Sequence, residues 1–171
     1  MIGKRECLKD VNWSKLKEKV GVKKLTSLLS DAQLVGLENW TMLPYMTEVW
    51  NGLIDEIIPN ISNNHDKYIF FDLADPENRL KNDILEALSV IKKFSNKFKV
   101  ILGLNEKEAY EIGEVLDISS TADKLPLDTL VKSIAQKLDI YCLVVHPIKE
   151  AYAVCDGKLY ILLDHMNQIL N

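Results

Sequence analysis

Glycine, proline and cysteine are scarce: seven, five and three among 171 residues. The glycines never stand closer than ten residues apart. No G-x-x-x-x-G-K-[ST], G-x-G-x-x-G or G-x-S-x-G motif can therefore be read, and H-E-x-x-H is absent as well. The phosphate-loop, dinucleotide, esterase and zinc-protease readings lose their footing. Cys7, Cys142 and Cys155 are odd in number and lack metal-ligand spacing, which predicts reduced thiols rather than a disulfide framework. Lys and Arg are spread along the chain, and net charge is -4, so no nucleic-acid footprint is visible. No apolar run is long enough to cross a bilayer, and MIGKRECLKD holds no signal-like segment. These absences predict a cytoplasmic protein without a nucleic-acid or membrane partner.

What is present suits one domain over residues 1–171, with 47% hydrophobic residues to fill a core. KVILGLNEKE, Lys99 to Glu108, is the central stretch. Val100, Ile101 and Leu102 read as a strand buried on both faces. Gly103 and Asn105 form a turn, and a helix follows with Ala109, Ile112, Val115 and Leu116 inward. Upstream, two short helices separated by Gly21 fill Val11 to Ser30, with Asn12 or Asp10 capping the first. AQLVGL, residues 32–37, is a strand. Thr41 is the expected cap of a helix from Leu43 to Ile57, with Pro44 in its first turn and Pro59 as its stop. YIFFDL is the next strand, followed by a helix with Leu80, Ile84, Leu85, Leu88 and Ile91 inward.

After the central unit, a polar loop leads to a helix through Leu127, Leu130, Val131, Ile134 and Leu138, then to the strand YCLVV. Asp156-Gly157 joins two final strands as a hairpin. The tail from Asp164 is expected to fray. Strands alternating with helices predict an α/β layered fold with a mainly parallel sheet flanked by helices and ending in a β-hairpin.

Three strand ends then converge: Asn39 and Trp40, Asp72 and Asp75, Asn105 and Glu108. Ligands bind at such mouths in parallel sheets, and carboxylates with amides could hold magnesium through water. The same residues also fit as helix caps and turn formers. Trp50 is expected in the core, whereas Trp40 sits where a base or sugar ring could stack. His146, beside Pro147, is a plausible ligand-facing residue; His65 and His165 invite no role.

Asn39-Trp40-Thr41, FFDLADPENR, VILGLNEKEA and YCLVVHP, in that order and spacing, resemble the middle of a ribokinase-like, PfkB-type carbohydrate kinase, a three-layer fold of which this chain would be a part. The resemblance implies ATP and Mg2+ as cofactors and a sugar as substrate. It places the family's Asn-x-x-Glu motif on Asn105 and Glu108, with Glu108 toward the metal, and sets Asn39 and Asp72 toward the substrate. The family's Asp-x-Asn-x-Arg segment corresponds loosely to Asp72 through Arg79. Its glycine-rich sugar-binding strands, lid and Gly-Ala-Gly-Asp segment have no counterpart, and His146-Pro147-Ile148 stands where relatives often carry Thr-x-Gly. The expectation is a kinase fragment with little activity alone, self-associating or joining the missing kinase portions. The alternatives are a noncatalytic α/β module that binds a nucleotide or a protein, and a flavodoxin-like binding domain.

Overall fold

The computed structural model describes residues 7–61, 66–120 and 122–163. His65, His165, the 164–171 tail and the side chain of Cys7 lie outside the described residues. The elements run α1 (Trp13–Lys19), α2 (Val22–Asp31), β1 (Leu34–Leu37), α3 (Met46–Gly52), β2 (Tyr68–Asp72), α4 (Lys81–Lys93), β3 (Lys99–Leu104), α5 (Glu106–Val115), α6 (Leu127–Leu138), β4 (Cys142–Val145), β5 (Glu150–Cys155) and β6 (Lys158–Leu163). The sheet order is β1-β2-β3-β4-β5-β6. The first four strands are parallel, and β5 and β6 are antiparallel. This is the α/β architecture with a terminal hairpin that the strand and helix alternation predicts.

Strand order that never reverses has a consequence. Right-handed crossovers between successive parallel neighbours carry their helices to the same face of the sheet, and α3 packs on α4, α4 on α5, and α5 on α6. Burial alternates accordingly. Ile69, Phe71, Val100, Leu102, Leu104, Leu143 and Val145 are fully buried on the helical face. The register places Tyr68, Phe70, Ile101, Val144, Ala153 and Tyr160 on the opposite face, where each remains half-buried or exposed. Ile101 is therefore only half covered, although the KVILGL run lacks polar alternation.

Local chemistry explains the helix starts. Asn12 caps α1, its Oδ1 accepting from the Lys15 amide at 2.9 Å. Gly21, at φ +84°, breaks the chain before α2 in a backbone region that costs other residues more. The expected helix from Leu43 begins instead at Met46, and Thr41 does not cap it. The Thr41 amide donates to the Leu73 carbonyl at 2.9 Å, tying the loop after β1 to the end of β2. The Arg79 guanidinium donates to the carbonyls of Trp40, Thr41 and Leu43 at 2.9–3.2 Å and fastens this segment in its turns. Past Gly52 the helix widens into a π turn, Leu53–Ile57, and closes in a 3-10 turn containing Pro59.

Three further expectations are corrected. Leu80 and Leu85 are exposed, because Leu80 precedes α4 and Leu85 lies one residue around from the inward Ile84. Lys67, at the end of the run Asn60 to Lys67 that reads in the sequence as a polar connection, is buried and donates to the carbonyls of Ser30 and Ala32. Cys142 and Cys155 are not free thiols. They stand opposite one another in the β4–β5 register with Cα atoms 4.2 Å apart, and they form a disulfide. A count of cysteines cannot reveal a pairing that the hairpin register creates.

Candidate functional site

The carboxyl ends of β1, β2 and β3 are adjacent, and the backbone there is unusual. Asn39 follows β1 at φ +61°, and Ala74 and Asp75 follow β2 at φ +58° and +57°. Left-handed conformations at non-glycine positions persist only where their surroundings hold them. At β2 the holding groups are two carboxylates. Asp72 Oδ1 accepts from the Ala74 amide at 2.9 Å, and Glu108 Oε1 accepts from the Asp75 amide at 2.9 Å.

Glu108 belongs to α5, the helix that leaves β3. Asn105 is its N-cap, with Oδ1 accepting from the Glu108 amide at 2.9 Å. Glu108 Oε2 accepts in return from the Asn105 amide at 2.8 Å, which completes a capping box. Glu108 is only 5% exposed. Its carboxylate therefore joins the mouths of β2 and β3, satisfying a backbone amide from each.

The sequence-selected residues thus separate into two groups. Asn105 and Glu108 meet, and Glu108 reaches the loop that Asp72 shapes. Asn39 is exposed, and its carbonyl accepts from the Met42 amide. Trp40 offers no ring to a ligand: it is fully buried, its Nε1 donates to Thr47 Oγ1 at 2.8 Å, and the Arg79 guanidinium lies 4.7 Å from its ring centre. Arg79, loosely matched to a family arginine, is occupied in fastening the β1–α3 loop.

A cavity of about 800 Å³ opens on the other side of the capping box. It runs along α5 from Asn105 past Tyr110 and Glu114, and is bounded by Lys124 and by His146, Pro147 and Ile148 after β4. The His146 amide donates to the Leu104 carbonyl at 3.0 Å, which fixes this loop beside the start of α5. Tyr110 donates to the Leu125 carbonyl at 3.1 Å, and Lys124 Nζ sits 3.8 Å from the Tyr110 ring centre. Burial, with Glu106 nearby, raises the Tyr110 pKa.

At the rim, Lys107 bridges Glu77 and Glu111. The Lys107 hydrogen bond holds Glu77 below the usual carboxylate range, whereas burial and then the Glu77 carboxylate push Glu111 above it. Sequence reading overlooked Tyr110, Lys124 and this triad. The i,i+4 spacing of Lys107 and Glu111 was a visible signal. Glu77 was not, since it comes from another loop.

Among the described residues, no group of three or more His, Cys, Asp or Glu side chains is placed to hold a metal. The donors fit Mg2+ in one way only. Mg2+ keeps most of its waters and relies on one or two carboxylates plus phosphates from a substrate. Glu108 accepts a backbone amide on each oxygen and Asp72 accepts one, and the lone pairs left over could face metal-bound water.

A family model described as prokaryotic ketohexokinase matches residues 1–160. A ketohexokinase of Haloferax volcanii is 22% identical over 113 residues, covering 66% of this chain and 30% of that protein. The aligned stretch thus spans less than a third of the relative's length. With nearly its whole length matched by the family model, the chain belongs to the prokaryotic ketohexokinase family, within the PfkB-type carbohydrate kinases.

Proposed function

We propose that this chain carries the nucleotide-facing part of an ATP-dependent carbohydrate kinase and has little kinase activity alone. The observation that carries the reading is the Asn105–Glu108 capping box standing between the strained β2 loop and the cavity along α5. In this reading the Tyr110, Pro147 and Ile148 side of the cavity, with Lys124 against the Tyr110 ring, receives the flat base, and Lys107 lies toward the phosphates. Mg2+ supplies charge neutralisation on those phosphates. Asn105 and Glu108 hold the β3 mouth in shape and face metal-bound water. Asn39 and Asp72, at the neighbouring mouths, face the sugar side.

Phosphoryl transfer also needs a base and an anion hole. The Gly-Ala-Gly-Asp segment that supplies both in relatives has no match here, so the sugar is bound and turned over only when that portion is provided. The cytoplasm, where ATP and free sugars meet, is the compartment this reading expects.

Titration calorimetry with ATP, with and without Mg2+, tests the reading. Binding that requires Mg2+ is expected, weakened about tenfold by Glu108→Gln, which keeps one acceptor oxygen and removes the charge. Asn105→Ser retains a good N-cap, so it separates loss of the amide from loss of the helix start. No heat with ATP under either condition refutes nucleotide binding. Sugar-dependent ATP consumption at ordinary kinase rates refutes the dependence on a missing portion. The second reading, a noncatalytic protein-binding module, is favoured by one observation: β6 is apolar and exposed, and no described strand pairs with its outer side.

A further inference from the structure

The disulfide between Cys142 and Cys155 has unequal ends. Cys142 stands opposite Ile101 in the β3–β4 register and opposite Cys155 in the β4–β5 register, which puts both sulfurs on the sheet face without described helices. Cys142, flanked by strands on both sides, is only 4% exposed, whereas Cys155 is half-buried. The exposed Lys158 stands opposite Cys155 across the Asp156-Gly157 turn. Directly opposed residues of antiparallel strands share a face with Cβ atoms about 5 Å apart, so the ammonium and the outer sulfur are neighbours. The bond also closes a ring. Its other end is the β4–β5 connection, where His146, Pro147 and Ile148 form a wall of the cavity along α5.

We infer that Cys142–Cys155 is a thiol-exchange site attacked at Cys155, and that its reduction by a small thiol or dithiol loosens the cavity wall formed by the β4–β5 connection. In the first step a thiolate bonds to Cys155 Sγ as the Cys142–Cys155 bond breaks, and Cys142 Sγ leaves with the electron pair and takes a proton from water. A second thiolate then attacks the reductant's sulfur in the mixed disulfide, and Cys155 Sγ leaves and is protonated in turn. The protein gains two electrons and two protons, and the reductant ends as its own disulfide. Burial of Cys142 leaves Cys155 as the sulfur within reach. Lys158 helps both steps, first by attracting the anionic thiolate and then by stabilising Cys155 as a leaving thiolate.

The bond acts as a latch and is not needed to pair the strands. β4 and β5 are joined by their ladder, and Tyr152 and Val154 are buried in the core, so the sheet persists without the cross-link. What the bond suppresses is local opening. Among the described residues β6 is the last strand of the sheet and is largely exposed, and segments with few buried contacts open ahead of the core. Closing a ring with a sequence separation of 13 disfavours the opened chain by roughly a hundredfold. Reduction returns that freedom to residues 142–155, the cavity wall included. The inference is independent of nucleotide binding and is read without it.

The test starts from the unreduced chain with Cys7 blocked by iodoacetamide, incubated without denaturant with glutathione or dithiothreitol, quenched with acid and mapped by mass spectrometry. Dithiothreitol should reduce the pair completely while the circular dichroism spectrum stays unchanged. Early quenching with glutathione should find the adduct on the peptide that holds Cys155. Lys158→Gln should slow the reaction about threefold or more, and Lys158→Arg should preserve it. Amide hydrogen exchange, compared between the two redox states, should quicken about tenfold or more across residues 146–155 and stay unchanged in β2 and β3. Reduction that needs denaturant, an adduct on Cys142, a rate indifferent to Lys158→Gln, or equal hydrogen exchange in the two states would each overturn the proposal.

Discussion

Glu108→Ala should be among the most damaging single substitutions at the mouth of the sheet, and its cost can be worked out from the contacts. The carboxylate accepts two backbone amides, from Asn105 at 2.8 Å and Asp75 at 2.9 Å, in a residue only 5% exposed. Loss of a capping contact costs roughly 1 kcal/mol. The second amide belongs to a residue held at φ +57°, and leaving a part-buried donor unpaired costs about 1–3 kcal/mol. Together these give about 3 kcal/mol. For a chain of this length that corresponds to a fall of roughly 6–12 °C in Tm. Thermal unfolding followed by circular dichroism, with urea unfolding followed by tryptophan fluorescence, measures both quantities. Glu108→Gln retains one acceptor and should lose about half as much. A Glu108→Ala protein melting within about 2 °C of the parent would refute the assignment of the carboxylate as the tie between the two loops.

Arg79→Ala should free the carbonyls of Trp40, Thr41 and Leu43 and uncover the Trp40 ring, costing about 2–3 kcal/mol and shifting tryptophan emission to the red; unchanged emission would count against the clamp. Because the Glu111 pKa is raised in the folded state, its contribution favours folding below the ordinary carboxylate range and is lost as pH rises through the folded value. Glu111→Gln should therefore raise Tm at pH 7, with the gain vanishing near pH 4, and a gain independent of pH would sink the idea. Glu77 behaves oppositely: its lowered pKa adds stability above the ordinary range that fades as pH falls. Thiol titration of the unreduced, denatured chain should find one reactive cysteine, Cys7, and three after reduction; three from the outset would remove the Cys142–Cys155 disulfide.

Much of the fold was legible because each element carried its own local signal. Alternation and apolar runs located the six described strands, Asp156-Gly157 announced the hairpin, whose turn has two positive φ values, and Asn12 and Gly21 marked the first helices. What escaped was set by distant groups. α3 starts three residues later than expected, after a segment that Arg79, 36 to 39 positions away, and the Leu73 carbonyl hold in turns. Trp40 is fully buried in the core, with the same guanidinium 4.7 Å from its ring centre. The disulfide depended on a β4–β5 register, and Lys67 found its carbonyl partners at the end of α2. At the site, the Asn105–Glu108 spacing was readable as a cap, whereas the tie to Asp75 required two loops to be placed together.

That tie bears on how a binding motif and a folding motif can share residues. A capping box needs an amide or hydroxyl at the cap and a carboxylate three positions on, and Asn-x-x-Glu meets this need with or without a ligand. Its presence alone therefore cannot separate a kinase from a stable helix start. What distinguishes this instance is the use of the second carboxylate oxygen. An ordinary capping box returns its Glu only to its own cap amide, but Glu108 also holds the left-handed loop after β2. The loop that Asp72 shapes is thereby fixed relative to the cavity along α5, and under the proposed function these two are the sugar-facing and nucleotide-facing sides. Phosphoryl transfer depends on such positioning more than on covalent chemistry by the protein. A shift of Asp75 and its neighbours in Glu108→Gln, seen as changed amide chemical shifts on both loops, would show that the frame is shared. Shifts confined to α5 would show that the two sides are independent.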